Sequence, residues 1–373
     1  MGLLIYILPP KKFFIFLRII GVSIILLLSG CSTSTFTPSE SNRPLLSQRN
    51  RNILNLAVDL QHTIAQNVWP GFEGFQTAVV FLSPEGQFLF NSQGNPPLEY
   101  KAIGRQGIKW SNKDYKTDTW IAPDGKPFSK EEFDQGYLAN AFSVEQSEGH
   151  FPYSVFFLDS IERFHQKGMK WSPDDWLSIF WHEVFHNFQD SLYAPELVVS
   201  EITNFANIKP YVESEKFLEL VRHEQRILMT ALKKQKLKDK RKTICMDFLN
   251  ARKKRYKSMN QLAVTSEKFY EISEGTARYV EELMSLEAGR IFSAERVRSS
   301  FKIIGFEHFE KYAKKNLASY YEKLDTMSTS MKYFYNTGFG LALLLDQINP
   351  LWKKTAFQTK GFLFTTVEQW CRR

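Results

Sequence analysis

"FWHEVFHNFQD", residues 180–190, is the stretch on which the reading of this chain turns. It places His182 and His186 four residues apart, with Glu183 directly after the first histidine. On a helix, side chains at i and i+4 lie one above the other, so both imidazoles can face one ion. Glu183 is turned about 100° from His182, one residue's step around the helix. From there its carboxylate reaches a water on the ion instead of the ion itself. Zinc lowers the pKa of such a water towards about 7, and a nearby carboxylate can take its proton as it attacks a carbonyl. The competing reading is two histidines on an ordinary packed helix.

The flanking residues predict the helix. In "SPDDWLSIFWHEVFHNFQD", residues 172–190, Ser172 suits the N-cap and Pro173 the first helical position. Asp175, three residues on, completes a capping box. Trp176, Phe180 and Val184 recur at four-residue spacing and form one apolar side.

A catalytic zinc needs three protein ligands and an open position. "EISEGTARYVEE", residues 271–282, offers Glu274 on a second helical pattern, with Ile272, Ala277, Tyr279 and Leu283 as a mixed apolar face. Gly275 and Ala277 follow the carboxylate closely, and residues this small let another helix approach. The competing reading is an ordinary glutamate-rich amphipathic helix.

His182-Glu183-x-x-His186 followed far downstream by Glu274-Gly-Thr-Ala-Arg-Tyr resembles the gluzincin zinc metallopeptidases. The resemblance implies His182, His186 and Glu274 as ligands of one zinc ion and Glu183 as general base. It also implies a zincin-like α+β fold in which a small antiparallel or mixed sheet precedes the active-site helices. Residues 151–158 stand where such proteins have the edge strand that pairs with substrate. "YNTGFGLALLLDQINPLWKK", residues 335–354, is similar to the Tyr-x-x-Gly helix and Asp-x-x-x-Pro-x-Trp ending of uncharacterised bacterial gluzincin-like proteins.

Two departures accompany the resemblance. The span from His186 to Glu274 is longer than in compact aminopeptidase-like members, so a helical insertion over about 195–260 separates the ligands. Arg278 stands four residues after Glu274, where thermolysin-like members carry an acid that orients a histidine. Helical spacing leaves Glu271 and Glu281 as candidates for that duty. Tyr335 or Tyr333 could donate to a developing oxyanion. Asn187 and Gln189 read as braces for neighbouring loops. His62, His150, His165, His223 and His308 have no partner at ligand spacing.

The rest of the chain sets the context. Of 373 residues, 43% are hydrophobic and 24% charged, a globular composition. Residues 1–30 stand apart: Lys11, Lys12 and Arg18 supply positive charge beside "IIGVSIILLL", an apolar run too short to span a bilayer comfortably. "LSGC", residues 28–31, then resembles the lipobox of bacterial lipoproteins, which implies cleavage before Cys31 and its acylation. A signal anchor that is never cleaved is the alternative. Either way the globular part is expected outside the cytoplasm, in a bacterial cell envelope. Ser32 fits a periplasm-facing outer membrane where the cell has one. Residues 31–47 read as a Ser/Thr/Pro-rich tether.

Beyond the tether, residues 48–171 read as an N-terminal α+β part. A helix is expected over 48–65, two strands around a Pro-Glu-Gly turn in 77–91, and loops with short strands in 93–134. Residues 172–373 read as helical almost throughout. Cys245 and Cys371 could pair as a disulfide or stay as thiols.

The net charge of +8 is concentrated. Between Lys233 and Lys257, twelve basic residues stand against Asp239 and Asp247. The run has no interleaved aromatics in 233–242, which argues against a nucleic-acid surface. It reads as a solvated helix-loop-helix, or as a face drawn to an anionic membrane surface. The expected function is membrane-anchored, zinc-dependent hydrolysis of peptides or proteins. The alternatives are a zinc hydrolase of a non-peptide envelope substrate and a catalytically inactive zincin-fold lipoprotein.

Overall fold

The computed structural model describes residues 45–92, 101–104, 119–122, 139–143, 154–166, 168, 170–233, 238–292, 333–358 and 362–372. The segment 1–30, Cys31 with its lipobox, most of the tether, His150 and His308 lie outside the described residues. Among the described residues, no helix is long and apolar enough to cross a membrane.

Helix α1 runs over Gln48–Val68, three residues beyond the predicted end, and starts where the Ser47 hydroxyl accepts from Asn50 N–H. Ile53, Leu56, Leu60 and Ile64 are buried, as their spacing predicts. After a short turn come β1 (Ala78–Ser83) and β2 (Gly86–Phe90), a hairpin closed at the Ser83–Gly86 pair around Pro84 and Glu85. Three short strands follow: β3 (Lys101–Gly104), β4 (Thr119–Ala122) and β5 (Ala139–Ser143). Strand β6 (Ser154–Asp159) completes one six-stranded mixed sheet in the order β3-β4-β2-β1-β6-β5. The β1–β6 pair is parallel and the others are antiparallel.

The strand expected over 151–158 therefore exists but is not an edge. β6 is paired on both sides, with β1 and with β5, and β5 takes the edge. The reason is visible in Val155-Phe156-Phe157-Leu158, which is apolar without alternation. That is the pattern of a strand covered on both sides, whereas an edge strand breaks its apolar run with charge or proline.

Helix α2 (Ile161–Gln166) leads to α3 (Pro173–Asp190), which carries the histidine pair. The predicted start is present in full: Ser172 Oγ accepts from Asp175 N–H, and the Asp175 carboxylate accepts from Ser172 N–H. Trp176, Phe180 and Val184 are buried, and the indoles of Trp176 and Trp181 donate to Asp159 O and Ala57 O. α3 is thus tied to the end of β6 and to the middle of α1.

The insertion contains the short helix α4 (Lys209–Val212), then α5 (Glu215–Lys233) and α6 (Lys238–Tyr256) packed on each other. Helix α7 (Gln261–Phe292) is 32 residues long, about 48 Å at 1.5 Å per residue. α8 (Tyr333–Ile348) lies along it, and α9 (Leu363–Cys371) closes the chain. One apolar core takes in Leu54, Phe81, Phe180, Tyr279, Leu344 and Val367, so the sheet portion and the helical portion share it. A disulfide joins Cys245 of α6 to Cys371 of α9.

The basic side chains of 233–242 lie outside the described residues; among those described in 252–257, two differ from the expected solvated face. Arg252 and Arg255 point inward and are fully buried. Arg252 donates to Glu224 and Glu271 at 2.9 and 2.8 Å. Arg255 forks onto both oxygens of Glu267 at 2.6 Å and reaches Glu224 at 2.6 Å. Three carboxylates on α5 and α7 thereby hold two guanidiniums of α6, with the planar two-pronged geometry that arginine offers and lysine lacks. Neither arginine is available to a membrane. Lys253 is bonded to Glu368 at 2.7 Å, while Lys254 and Lys257 are exposed.

Candidate metal centre

α3 and α7 pack side by side and bring His182, His186 and Glu274 together at one point, 88 positions apart in sequence at the closest. His182 and Glu274 are each 5% exposed. His182 Nε2 lies 3.1 Å from His186 Nε2 and 3.6 Å from Glu274 Oε2, and His186 Nε2 lies 3.3 Å from the same oxygen. A tetrahedral zinc with bonds of about 2.0–2.2 Å holds its ligand atoms about 3.3–3.6 Å apart. Two edges of the triangle have that size and the third, between the imidazoles, is slightly shorter. Glu274 Oε2 is also buried, and the two imidazoles face it at 3.6 and 3.3 Å without good hydrogen-bond geometry, a costly state for a carboxylate oxygen unless a cation meets it. The donor set of two imidazoles and one carboxylate is one that zinc takes.

The other ring nitrogens are held from behind. His182 Nδ1 lies 3.1 Å from Glu281 Oε2, and Glu281 is in turn bonded by Arg278 at 2.7 Å. Arg278 also reaches Glu282. Glu281 therefore performs the orienting duty, seven residues after Glu274 and on the same face of α7. Glu271, the other candidate, does not; it is committed to Arg252. His186 Nδ1 lies 2.7 Å from Gln189 Oε1. Gln189 thus belongs to the site instead of bracing a loop, while Asn187 does brace, donating to Thr77 at 2.8 Å. The spacing of three from His186 to Gln189 was the available signal.

Burial and charge pull against each other here. Burial would lower the pKa of His182, but bonds to Glu274 and Glu281 outweigh it and raise it to about 10 in the metal-free arrangement. Burial would raise Glu274, but the two histidines hold it well below the usual carboxylate range. Glu183 is half-buried, and loss of water pushes its pKa up against the pull of His182 and His186.

The two candidate tyrosines separate. Tyr335 faces His182, ring centroids 6.1 Å apart, and its hydroxyl is within hydrogen-bonding reach of the Glu274 carboxylate. Burial, then the charge of Glu274, raises its pKa well above the usual value, so it stays a proton donor. Tyr333 is not at the site: two positions on, its side chain points elsewhere and its hydroxyl donates to Glu267 in the arginine cluster. His62 Nδ1 and His165 Nε2 donate locally to Glu73 O and Trp171 O, and His223 is exposed, so none approaches the centre.

Comparison with protein-family models, with curated proteins and with solved structures returns no match to this chain.

Proposed function

We propose that the protein is a zinc-dependent metallopeptidase of zincin-like fold, lipid-anchored through Cys31 in a bacterial envelope. The observation that carries the reading is the buried triangle of His182 Nε2, His186 Nε2 and Glu274 Oε2, with edges of 3.1, 3.6 and 3.3 Å that are close to the spacing around a tetrahedral zinc. Zinc, when bound, supplies an activated water and a positive charge for the substrate carbonyl. With zinc held by His182, His186 and Glu274, Glu183, next to His182 and one helical step off its line, would be placed to accept a proton from a water and return it to a leaving amine. Tyr335 donates its hydroxyl hydrogen to the carbonyl oxygen as negative charge builds there. Glu281 and Arg278 keep His182 facing inward through its Nδ1.

A peptide fits the surroundings better than a compact acyl substrate. Among the described residues β5 is an edge strand, and it packs against α3, the helix of the histidine pair, so an extended chain has a free backbone row on that side of the sheet to pair with.

The experiment is metal content and peptide hydrolysis in the unaltered chain and in Glu183→Gln, His186→Ala and Glu274→Ala. One zinc per chain is expected in the unaltered protein and in Glu183→Gln, and little in the other two. Hydrolysis should fall about 10²–10⁴-fold in Glu183→Gln although zinc remains. Zinc bound without hydrolysis of any peptide would remove the peptidase reading. No zinc in the unaltered chain would remove the site.

A further inference from the structure

Gln189 is fully buried on the last turn of α3, and both ends of its amide are engaged. Nε2 lies 2.8 Å from Ser273 O and 2.7 Å from Thr276 Oγ1, with Ile272 O at 3.4 Å. A carbonyl oxygen only accepts, so the end facing Ser273 is the NH₂ end. Thr276 donates its own hydrogen to Ile272 O at 2.5 Å, so its oxygen too is an acceptor towards Gln189. The amide oxygen is thereby turned to His186 Nδ1 at 2.7 Å, and an oxygen without a hydrogen needs a donor there. His186 must carry its hydrogen on Nδ1, which leaves the Nε2 lone pair facing Glu274 and His182.

We propose that Gln189 is the positioning residue of His186, as Glu281 is of His182: one amide sets the tautomer of His186 and ties its end of α3 to the turn of α7 that presents Glu274. The inference rests on the metal reading above. Ile272 and Ser273 immediately precede Glu274, so a movement of this amide shifts the two ligand-bearing elements against each other. The partner of His182, Glu281, is a charged carboxylate that accepts from a neutral or a protonated ring alike. The amide brings no charge, so its contribution is orientation.

The test takes the full chain, strips it with chelator, titrates it with zinc and follows the histidine ring nitrogens by ¹⁵N NMR. In the zinc-loaded protein His186 should retain its hydrogen on Nδ1, slow to exchange with water. Retention on Nε2 instead overturns the proposal. Gln189→Leu should bind zinc about 10–100-fold more weakly and lose the slow Nδ1 exchange, whereas affinity within about twofold of the unaltered chain overturns it. Gln189→Glu keeps an acceptor towards His186 and loses the donor towards α7. It should keep the Nδ1 hydrogen and recover part of the affinity; a variant no better than Gln189→Leu overturns the tautomer role. Should Gln189→Leu not fold, the unaltered chain and Gln189→Glu decide the matter: retention of the His186 hydrogen on Nε2 in the unaltered chain, or loss of the Nδ1 hydrogen in Gln189→Glu, overturns the proposal. If the unaltered chain takes up no zinc, the metal reading fails and this inference with it. That outcome is distinct from zinc binding that ignores Gln189.

Discussion

Gly275 of α7 and Gly338 of α8 meet backbone to backbone: a Cβ at position 275 would lie 2.4 Å from the Gly338 Cα, and one at 338 would lie 2.2 Å from Glu271 O. No side chain can be accommodated at either position without parting the helices. The crossing sits one residue from Glu274 and three from Tyr335, so the contact that lets α8 approach also brings the tyrosine to His182 and Glu274.

Gly275→Ala and Gly338→Ala are therefore expected to destabilise the fold. Alanine gains about 1 kcal/mol of helix propensity over glycine. Forcing two backbones apart costs about 3 kcal/mol or more, which prevails. Urea unfolding midpoints should fall for both variants, and a midpoint that rises would show that the helices separate without strain.

Removing the carboxylate behind His182 tests the site from the other side. Glu281→Ala should weaken zinc binding about 10–100-fold, and Glu281→Gln less, because its amide oxygen still accepts from Nδ1. Chelator competition reads both. Equal affinity in Glu281→Ala and the unaltered chain would mean that packing alone orients His182.

The arginine cluster should behave as a buried ionic unit. Arg255→Met removes one of two buried positive charges, leaving Glu224 to Arg252 and Glu267 to the hydroxyls of Tyr256 and Tyr333, and is expected to cost about 3–5 kcal/mol in denaturant unfolding. Lys254→Met, on an exposed residue of the same helix, should change stability by less than about 0.5 kcal/mol. Similar losses in the two variants would contradict the burial of Arg255.

Acid should act through the same cluster. Burial would raise the pKa of Glu267, but Arg255 and Arg252 outweigh it and take it down to about 2 from the ordinary 4.5. The folded-state value is depressed, so this stabilisation is present above pH 4.5 and drains away as pH falls towards 2. Melting temperatures measured across that window should drop, and the drop should be shallower in Glu267→Gln. Parallel curves for the two proteins would assign the acid sensitivity to other carboxylates.

Reduction of the Cys245–Cys371 disulfide gives a further measurement. The bridge closes a span of 126 residues, for which chain entropy sets an upper bound of about 5 kcal/mol, with about 2–4 typical. The melting temperature should fall when reductant is added and should be indifferent to reductant in Cys245→Ala.

Much of this arrangement was legible in the residues, and for local reasons. The start of α3 is written in Ser172, Pro173 and Asp175, the hairpin in its turn, and the meeting of His182, His186 and Glu274 in helical spacing and a recognisable pattern. What escaped was pairing between distant segments. The run 151–158 announces a strand, and its unbroken apolar stretch Val155–Leu158 suits an inner position, but which strands flank it is known only from the fold. Arg252 and Arg255 look like members of a surface charge run, because only the fold brings Glu224, Glu267 and Glu271 to them. Gln189 was undervalued for the same cause: its worth lies in Ser273 and Thr276, more than eighty residues away. Tyr333 and Tyr335 differ by two positions, and the helix turns them to different partners.

The crowding of duties on α7 has a consequence for how the chain can vary in length. Glu267 serves the arginines, Glu274 faces the histidines, Gly275 admits α8, Thr276 receives Gln189, and Glu281 backs His182. Each depends on its angle around the same axis, and every residue added or removed turns whatever follows by about 100°. An insertion or deletion of one residue anywhere between 267 and 281 would disengage at least one of these partners. Lengthening is tolerable only outside that window, so the fifteen positions from 267 to 281 form a ruler whose length descendants of this gene cannot change while the surrounding loops drift.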